Sequence, residues 1–140
     1  MWRWVSKTAL MLLHDESLAL HGGASGVRDE GLLDSALNRP VNLAAYGEPD
    51  AAELAASYAY GLAKNHAFVD GNKRAAFLAY LAAGLFLFSN NCRLMASEVD
   101  ATRAVMALAA DDLTEAQFAA WLRQHITPRN AVHEARAKYG

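Results

Sequence analysis

At 140 residues and a formal net charge of −2, the chain has the length of one domain with one hydrophobic core. This balance excludes a globally basic nucleic-acid or membrane-surface binder and leaves any phosphate site to a local cluster of basic residues. The single cysteine, Cys92, rules out an internal disulfide and a thiolate zinc cluster, which suits a reducing cytoplasm.

The opening residues MWRWVSKTALMLLHDE lack a basic n-region followed by a small-residue cleavage site, so no export signal is expected. Trp2 and Trp4 flank Arg3 and can pack on the core or meet a partner. Ser6 caps a predicted helix over about 7–20, stopped by Gly22 and Gly23. A turn-rich link over 25–31 leads to Leu32, Leu33, Ala36 and Leu37, an apolar stripe on a short helix that Pro40 is expected to end. Residues 41–49, VNLAAYGEP, carry no sustained helical stripe and are where a strand or flap is expected.

Asp50 with Glu53 three residues on forms an acidic capping box, opening a helix to about residue 65. A second long helix starts near Asn72 and runs to about Ser89, with Asn90 and Asn91 as its stop. Apolar nearly all round, it reads as a buried central helix; its stretch 75–88 is shorter than the roughly 20 residues a membrane span needs. Ser97 with Asp100 and Thr114 with Gln117 repeat the capping signature ahead of helices over about 98–110 and 115–125. The polar end, 128–140, reads as a short tail beyond a single domain over 1–127. Alternating runs are scarce, and the fold class is all-α.

Between the two long helices lies HAFVDGNKRAAF, His66 to Phe77. Gly71, Asn72, Lys73 and Arg74 fall at the N-terminus of the central helix, where unpaired N–H groups and the helix dipole favour an anion. Gly71 brings no Cβ against an approaching phosphate, Arg74 can grip two phosphate oxygens with its planar fork, and Lys73 adds a mobile charge. Asp70 would repel a bare phosphate unless a divalent cation such as magnesium lay between them, holding one carboxylate and phosphate oxygens together. His66 can take a proton from an incoming hydroxyl, and Phe68 reads as an inward anchor. Taken singly, each residue has a plain structural role: Asp70 as a helix cap, Lys73 and Arg74 as a solvated face, His66 as a satisfied histidine. Together they converge on one mouth.

HAFVDGNKR resembles the signature of the Fic/Doc family, His-x-Phe-x-Asp/Glu/Asn followed by Gly/Ala-Asn-Gly/Lys-Arg. Upstream, HGGASGVRDEGLLDSALNRP resembles the segment after the first helix of death-on-curing (Doc) toxins, so the similarity covers the chain to about His125. The resemblance implies a compact bundle of about six helices around a buried central helix, with a short flap or hairpin before the motif helices. It implies His66 as catalytic base, Asp70 as the magnesium-binding acid, Gly71, Asn72, Lys73 and Arg74 as the nest for nucleotide phosphates, and Phe68 as the buried anchor. The segment 41–49 corresponds to the flap that holds a target peptide, with Asn42 and Tyr46 as contacts, although a plain connecting loop explains it equally well.

The adenylylating branch usually has Gly where Lys73 stands and a second Arg where this chain has Phe77. Doc-like members share both departures, and for them the resemblance implies transfer of the γ-phosphate of ATP to a protein hydroxyl. No good copy of the inhibitory Ser/Thr-x-x-x-Glu helix is present, so restraint is expected from a cognate Phd-like antitoxin whose C-terminal segment folds into a groove. The expectation is a cytoplasmic toxin of a type II toxin–antitoxin pair that uses ATP and magnesium on a translation factor such as elongation factor Tu. The alternatives are AMP transfer on the same motif and a non-catalytic module binding an anionic peptide. Neither direct nucleic-acid binding nor membrane attachment is expected.

Overall fold

The structure, a computed structural model, describes residues 1–21, 30–64 and 71–129, with the backbone alone at 17–21 and 71–75. Among these residues the helices are α1 (Lys7–His21), α2 (Glu30–Tyr46), α3 (Ala51–Lys64), α4 (Gly71–Ser89), α5 (Glu98–Ala109) and α6 (Glu115–His125). Two short strands, β1 (Cys92–Leu94) and β2 (Ile126–Pro128), complete the described chain. The fold is all-α, as expected.

The caps read from the sequence form as local hydrogen bonds. Ser6 Oγ accepts from the Ala9 N–H at 3.2 Å and Ser97 Oγ from that of Asp100 at 3.1 Å. Asp50 Oδ1 accepts from the Glu53 N–H at 2.8 Å while Glu53 Oε1 accepts from the Asp50 N–H at 3.2 Å; Thr114 and Gln117 reciprocate in the same way. At the other end of α4, Asn91 turns the chain in the left-handed region with φ 64°. Asn90 donates to the carbonyl oxygen of Phe86 at 2.7 Å and exchanges hydrogen bonds with the backbone of Arg3. The end of α5 is a Schellman turn: the Asp112 N–H reaches Ala107 O at 2.9 Å and the Asp111 N–H reaches Leu108 O at 3.3 Å. Asp111 stands at its left-handed position with φ 63°, a conformation that aspartate adopts more readily than most side-chain-bearing residues.

Pro40 does not end its helix. It lies inside α2, which continues to Tyr46, so the expected flap over 41–49 is helical for most of its length. The apolar stripe explains why: Leu33, Ala36, Leu37, Pro40 and Ala44 keep helical spacing through the proline and pack on the core, with Pro40 itself buried. The cost of an interior proline, roughly 3 kcal/mol, is offset by these contacts and by Arg39, whose guanidinium forks onto Glu115 at 2.6 and 2.7 Å. The strands instead lie after the motif helices, antiparallel, with Cys92 opposite Pro128, Arg93 opposite Thr127 and Leu94 opposite Ile126. Pro128 and Arg129, at the start of the expected tail, are therefore part of the fold: the Arg129 N–H donates to Asn91 O at 2.9 Å and its guanidinium lies 4.3 Å from the centre of the Phe88 ring. The stop at Gly22 and Gly23 and the tail beyond Arg129 lie outside the described residues.

The centre of the bundle is shared by α3 and α4. Ten of the 14 residues of α3 are buried, and it packs against α2, α4, α5 and α6; α4 packs against α1, α3, α5 and β1. Tyr58, Phe86 and Phe118 are the largest fully buried side chains. Trp2 and Trp4 both meet Phe86, with ring centroids at 5.8 Å, and the Tyr58 hydroxyl accepts from the Val5 N–H at 3.0 Å, so Trp2 packs against the core while Trp4 stays partly exposed over it. A Cβ added at Gly61 would meet the Cα and Cβ of Ala36 at 3.3 Å. That glycine is what lets α2 lie close against α3.

Two outcomes follow for stability. Gly61→Val forces α2 and α3 apart and should cost about 2 kcal/mol in urea unfolding at unchanged slope. For Asp50, burial raises the carboxyl pKa, but the hydrogen bonds from Arg123 and the Glu53 N–H outweigh it and hold the group below the ordinary carboxylate range. The cap is therefore at full strength above that range and is lost as pH falls through the lower folded-state value. Asp50→Ala should cost about 1 kcal/mol at neutral pH, and the difference from the wild type should shrink in acid; a deficit that stays constant down to about pH 2 would exclude an ionised cap.

Candidate active site

The signature HAFVDGNKR straddles the interval between α3 and α4. His66, Phe68 and Asp70 lie outside the described residues. Gly71, Asn72, Lys73 and Arg74 form the first turn of α4, with the backbone described and the side chains not. The helix thus starts within a residue of the position expected from the sequence.

That first turn has the properties an anion site needs. Its leading N–H groups have no acceptor within the helix, and the aligned peptides of a 19-residue helix put the positive end of the dipole there. Gly71 places no side chain at the first position. α2, α3, α5 and α6 each carry an acidic residue in the first turn, whereas α4, like α1, carries none; Lys73 and Arg74 fall in the first turn of α4 instead. Two cations at the positive end of a dipole oppose helix formation. The backbone N–H groups of this turn are of the kind that hold an anion such as a phosphate.

Asn42 and Tyr46 are placed on the last turns of α2, not on an extended flap. Both are exposed, Tyr46 at 92%, and with Arg39, Leu43, Ser57 and Glu115 they line an open hollow of about 430 Å³. Arg39 is already engaged there: besides Glu115, its Nη1 donates to Ser57 Oγ at 3.1 Å, and the guanidinium lies 4.7 Å from the centre of the Tyr60 ring. Its charge is engaged in holding α2 to α3 and α6.

A second concavity went unread in the sequence. Ala76, Phe77 and Tyr80 of α4 face Glu98, Thr102, Val105 and Met106 of α5 across an apolar groove of about 330 Å³, beginning two residues after Arg74. Phe77 is 38% exposed in this groove. The sequence signal for it is weak: α4 is apolar on every face, and only the packing decides which face stays uncovered.

The Fic/DOC family model matches residues 4–83. Toxin Doc of Mycolicibacterium smegmatis is 45% identical over 86 residues, covering 59% of this chain and 62% of that protein. Protein kinase doc of Escherichia phage P1 is 34% identical over 96 residues, covering 68% of this chain and 74% of that protein. The match thus spans less than two thirds of the first relative's length and about three quarters of the second's. With more than half its length under the family model and the signature's last four residues seated as the first turn of α4, the chain belongs to the Fic/DOC family.

Proposed function

We propose that the protein is a Doc-like toxin that transfers the γ-phosphate of ATP to a hydroxyl of a cellular protein. The observation that carries this reading is HAFVDGNKR itself, with its basic end opening α4, in a chain 34% identical to a relative named a protein kinase. His66 takes the proton from the target hydroxyl, whose oxygen attacks the γ-phosphorus in line as the bond to the ADP oxygen breaks. The N–H groups of Gly71 to Arg74 and the Lys73 and Arg74 side chains hold the phosphates and the charge that develops on them. Phe68 anchors the loop, and Asp70 would hold magnesium. Magnesium, when bound there, offsets the negative charge between Asp70 and the phosphates. Lys73 and Phe77, where the adenylylating branch has Gly and a second Arg, favour the γ-phosphate over the α-phosphate.

The target is a cytoplasmic protein, with a translation factor such as elongation factor Tu as the family-implied choice. Because residues 41–46 are helical and offer no free strand edge, Asn42 and Tyr46 engage the target through side chains, not backbone pairing. A toxin of this kind needs restraint in trans, here by a Phd-like antitoxin. Among the described surfaces, the α4–α5 groove offers an amphipathic C-terminal segment an apolar floor.

Purified protein, a cell extract, magnesium and either γ- or α-labelled ATP test the reading. Label should enter protein from the γ position alone, and His66→Ala should lower it by about 10²- to 10⁴-fold. Label from the α position would make the chain an AMP transferase. Label from neither, with the fold intact by circular dichroism, would favour an anionic-peptide binding module.

A further inference from the structure

The hollow beside Asn42 and Tyr46 does not stand alone. A second hollow of about 410 Å³ adjoins it, and Leu43 and Glu115 line both. Ala56 and Ala119 lie buried along the second, while Ala116 on α6 is exposed there. Leu43 and Tyr46, three residues apart on one side of α2, are 39% and 92% exposed. Two large side chains thus stand in water over a trench bounded by α2, α3 and α6.

The charge of the trench is one-sided. Glu53 and Glu115 line it, Glu48 follows two residues after Tyr46, and Asp50 caps the start of α3 beside Glu53. Arg39 is engaged by Glu115 and Arg123 by Asp50. That leaves Glu53 with a 4.0 Å contact to Arg123, and Glu48 with no ion pair among the described residues. An occupant that complements this rim carries lysine or arginine.

The position of the trench narrows the kind of occupant. Gly61 lies against Ala36 and Arg39 bonds to Ser57, so α2 runs antiparallel to α3 and Tyr46 falls near the start of α3. At a rise of 1.5 Å per residue, Ser57 and Glu53 lie about 10 and 16 Å along α3 from Lys64, the end that leads into the signature. A segment seated here leaves the first turn of α4 uncovered, which suits a substrate docked during transfer and not an inhibitor that must block the phosphates.

We propose that this trench is a docking site for the target protein, which places there a basic amphipathic helix separate from the accepting hydroxyl. The inference rests on the reading of the chain as a protein-modifying transferase. The partner helix sets apolar side chains into the two hollows on either side of Leu43 and turns lysine or arginine toward Glu48 and Glu53.

Ala116→Arg and Glu48→Lys test it, because both alter exposed side chains and should leave the melting temperature unchanged. The rate of γ-label transfer to the main labelled protein is measured against extract concentration and, separately, against ATP. Ala116→Arg obstructs the second hollow with a cation and should raise the apparent KM for the protein about tenfold, with the plateau rate and the KM for ATP unchanged. Glu48→Lys should raise it about threefold at low salt and less at high salt. Wild-type KM for the protein in both variants, or a change that appears in the plateau rate or the KM for ATP instead, would overturn the proposal. Should the wild type transfer no more label than His66→Ala, the functional reading fails, and docking is then read by photo-crosslinking from p-benzoylphenylalanine in place of Tyr46 in the same extract. A crosslinked segment rich in lysine or arginine that is lost on Ala116→Arg and Glu48→Lys supports the trench as a docking site; no crosslink, a crosslink insensitive to both substitutions, or a crosslink to an antitoxin removes it.

Discussion

The close approach of α3 and α4 is the constraint on which the rest of the structure depends. Ala52, Ala55, Ala56, Ala59 and Ala63 of α3 are buried, as are Ala76, Ala79, Ala82 and Ala83 of α4. Side chains this small let two helix backbones lie near each other, so each larger residue must find its volume elsewhere. Tyr58 and Phe86 supply that volume toward one end, with ring centroids 5.4 Å apart and the N-terminal tryptophans closing over them. Because α3 ends at Lys64 and α4 begins at Gly71, the packing of these two helices fixes the N-terminus of α4 in space.

Apolar burial drives this packing but is non-directional, and alanine surfaces say little about rotation or register. Polar contacts between helices supply that information. Arg39 of α2 grips Glu115 of α6 and Ser57 of α3, Arg123 of α6 donates to Asp50 at the start of α3 at 2.9 Å, and Lys64 fastens the end of α3 to the end of α5. The helix at the centre is thus held at both ends and along its side. The exposed pairs among them contribute little energy each. Lys7 of α1 likewise contacts Glu30 and Asp34 of α2, both at 2.7 Å.

Much of the helical order was legible because it is written locally. A cap needs only a hydroxyl or carboxylate and a partner three residues on, and the caps at Ser6, Asp50, Ser97 and Thr114 all form where the spacing places them. Pro40 misled because the local cost of an interior proline was weighed without the tertiary contacts that offset it, although the stripe from Leu33 to Ala44 runs on in helical register. The strands β1 and β2 were invisible for a different reason: three residues are too few to show a period, and each exists only by pairing with the other. At the site, the start of α4 at the motif was legible, whereas the α4–α5 groove was not, since it is a face left uncovered by packing. His66, Phe68 and Asp70 rest on the motif alone, outside the described residues.

Pro40 and the first turn of α4 both break a local rule, and the manner of compensation tells them apart. For Pro40 the compensation is inside the fold: a buried ring, a continuous stripe, and a neighbouring arginine locked to Glu115. Such a violation is structural. The first turn of α4 instead places Lys73 and Arg74 at the positive end of a helix dipole with no acidic residue in the same turn. An inconsistency of this kind at a helix terminus is one that functional sites carry. An anion bound at this turn, as proposed above, would satisfy the N–H groups and the dipole and offset both cations together, in the first turn of the most apolar helix.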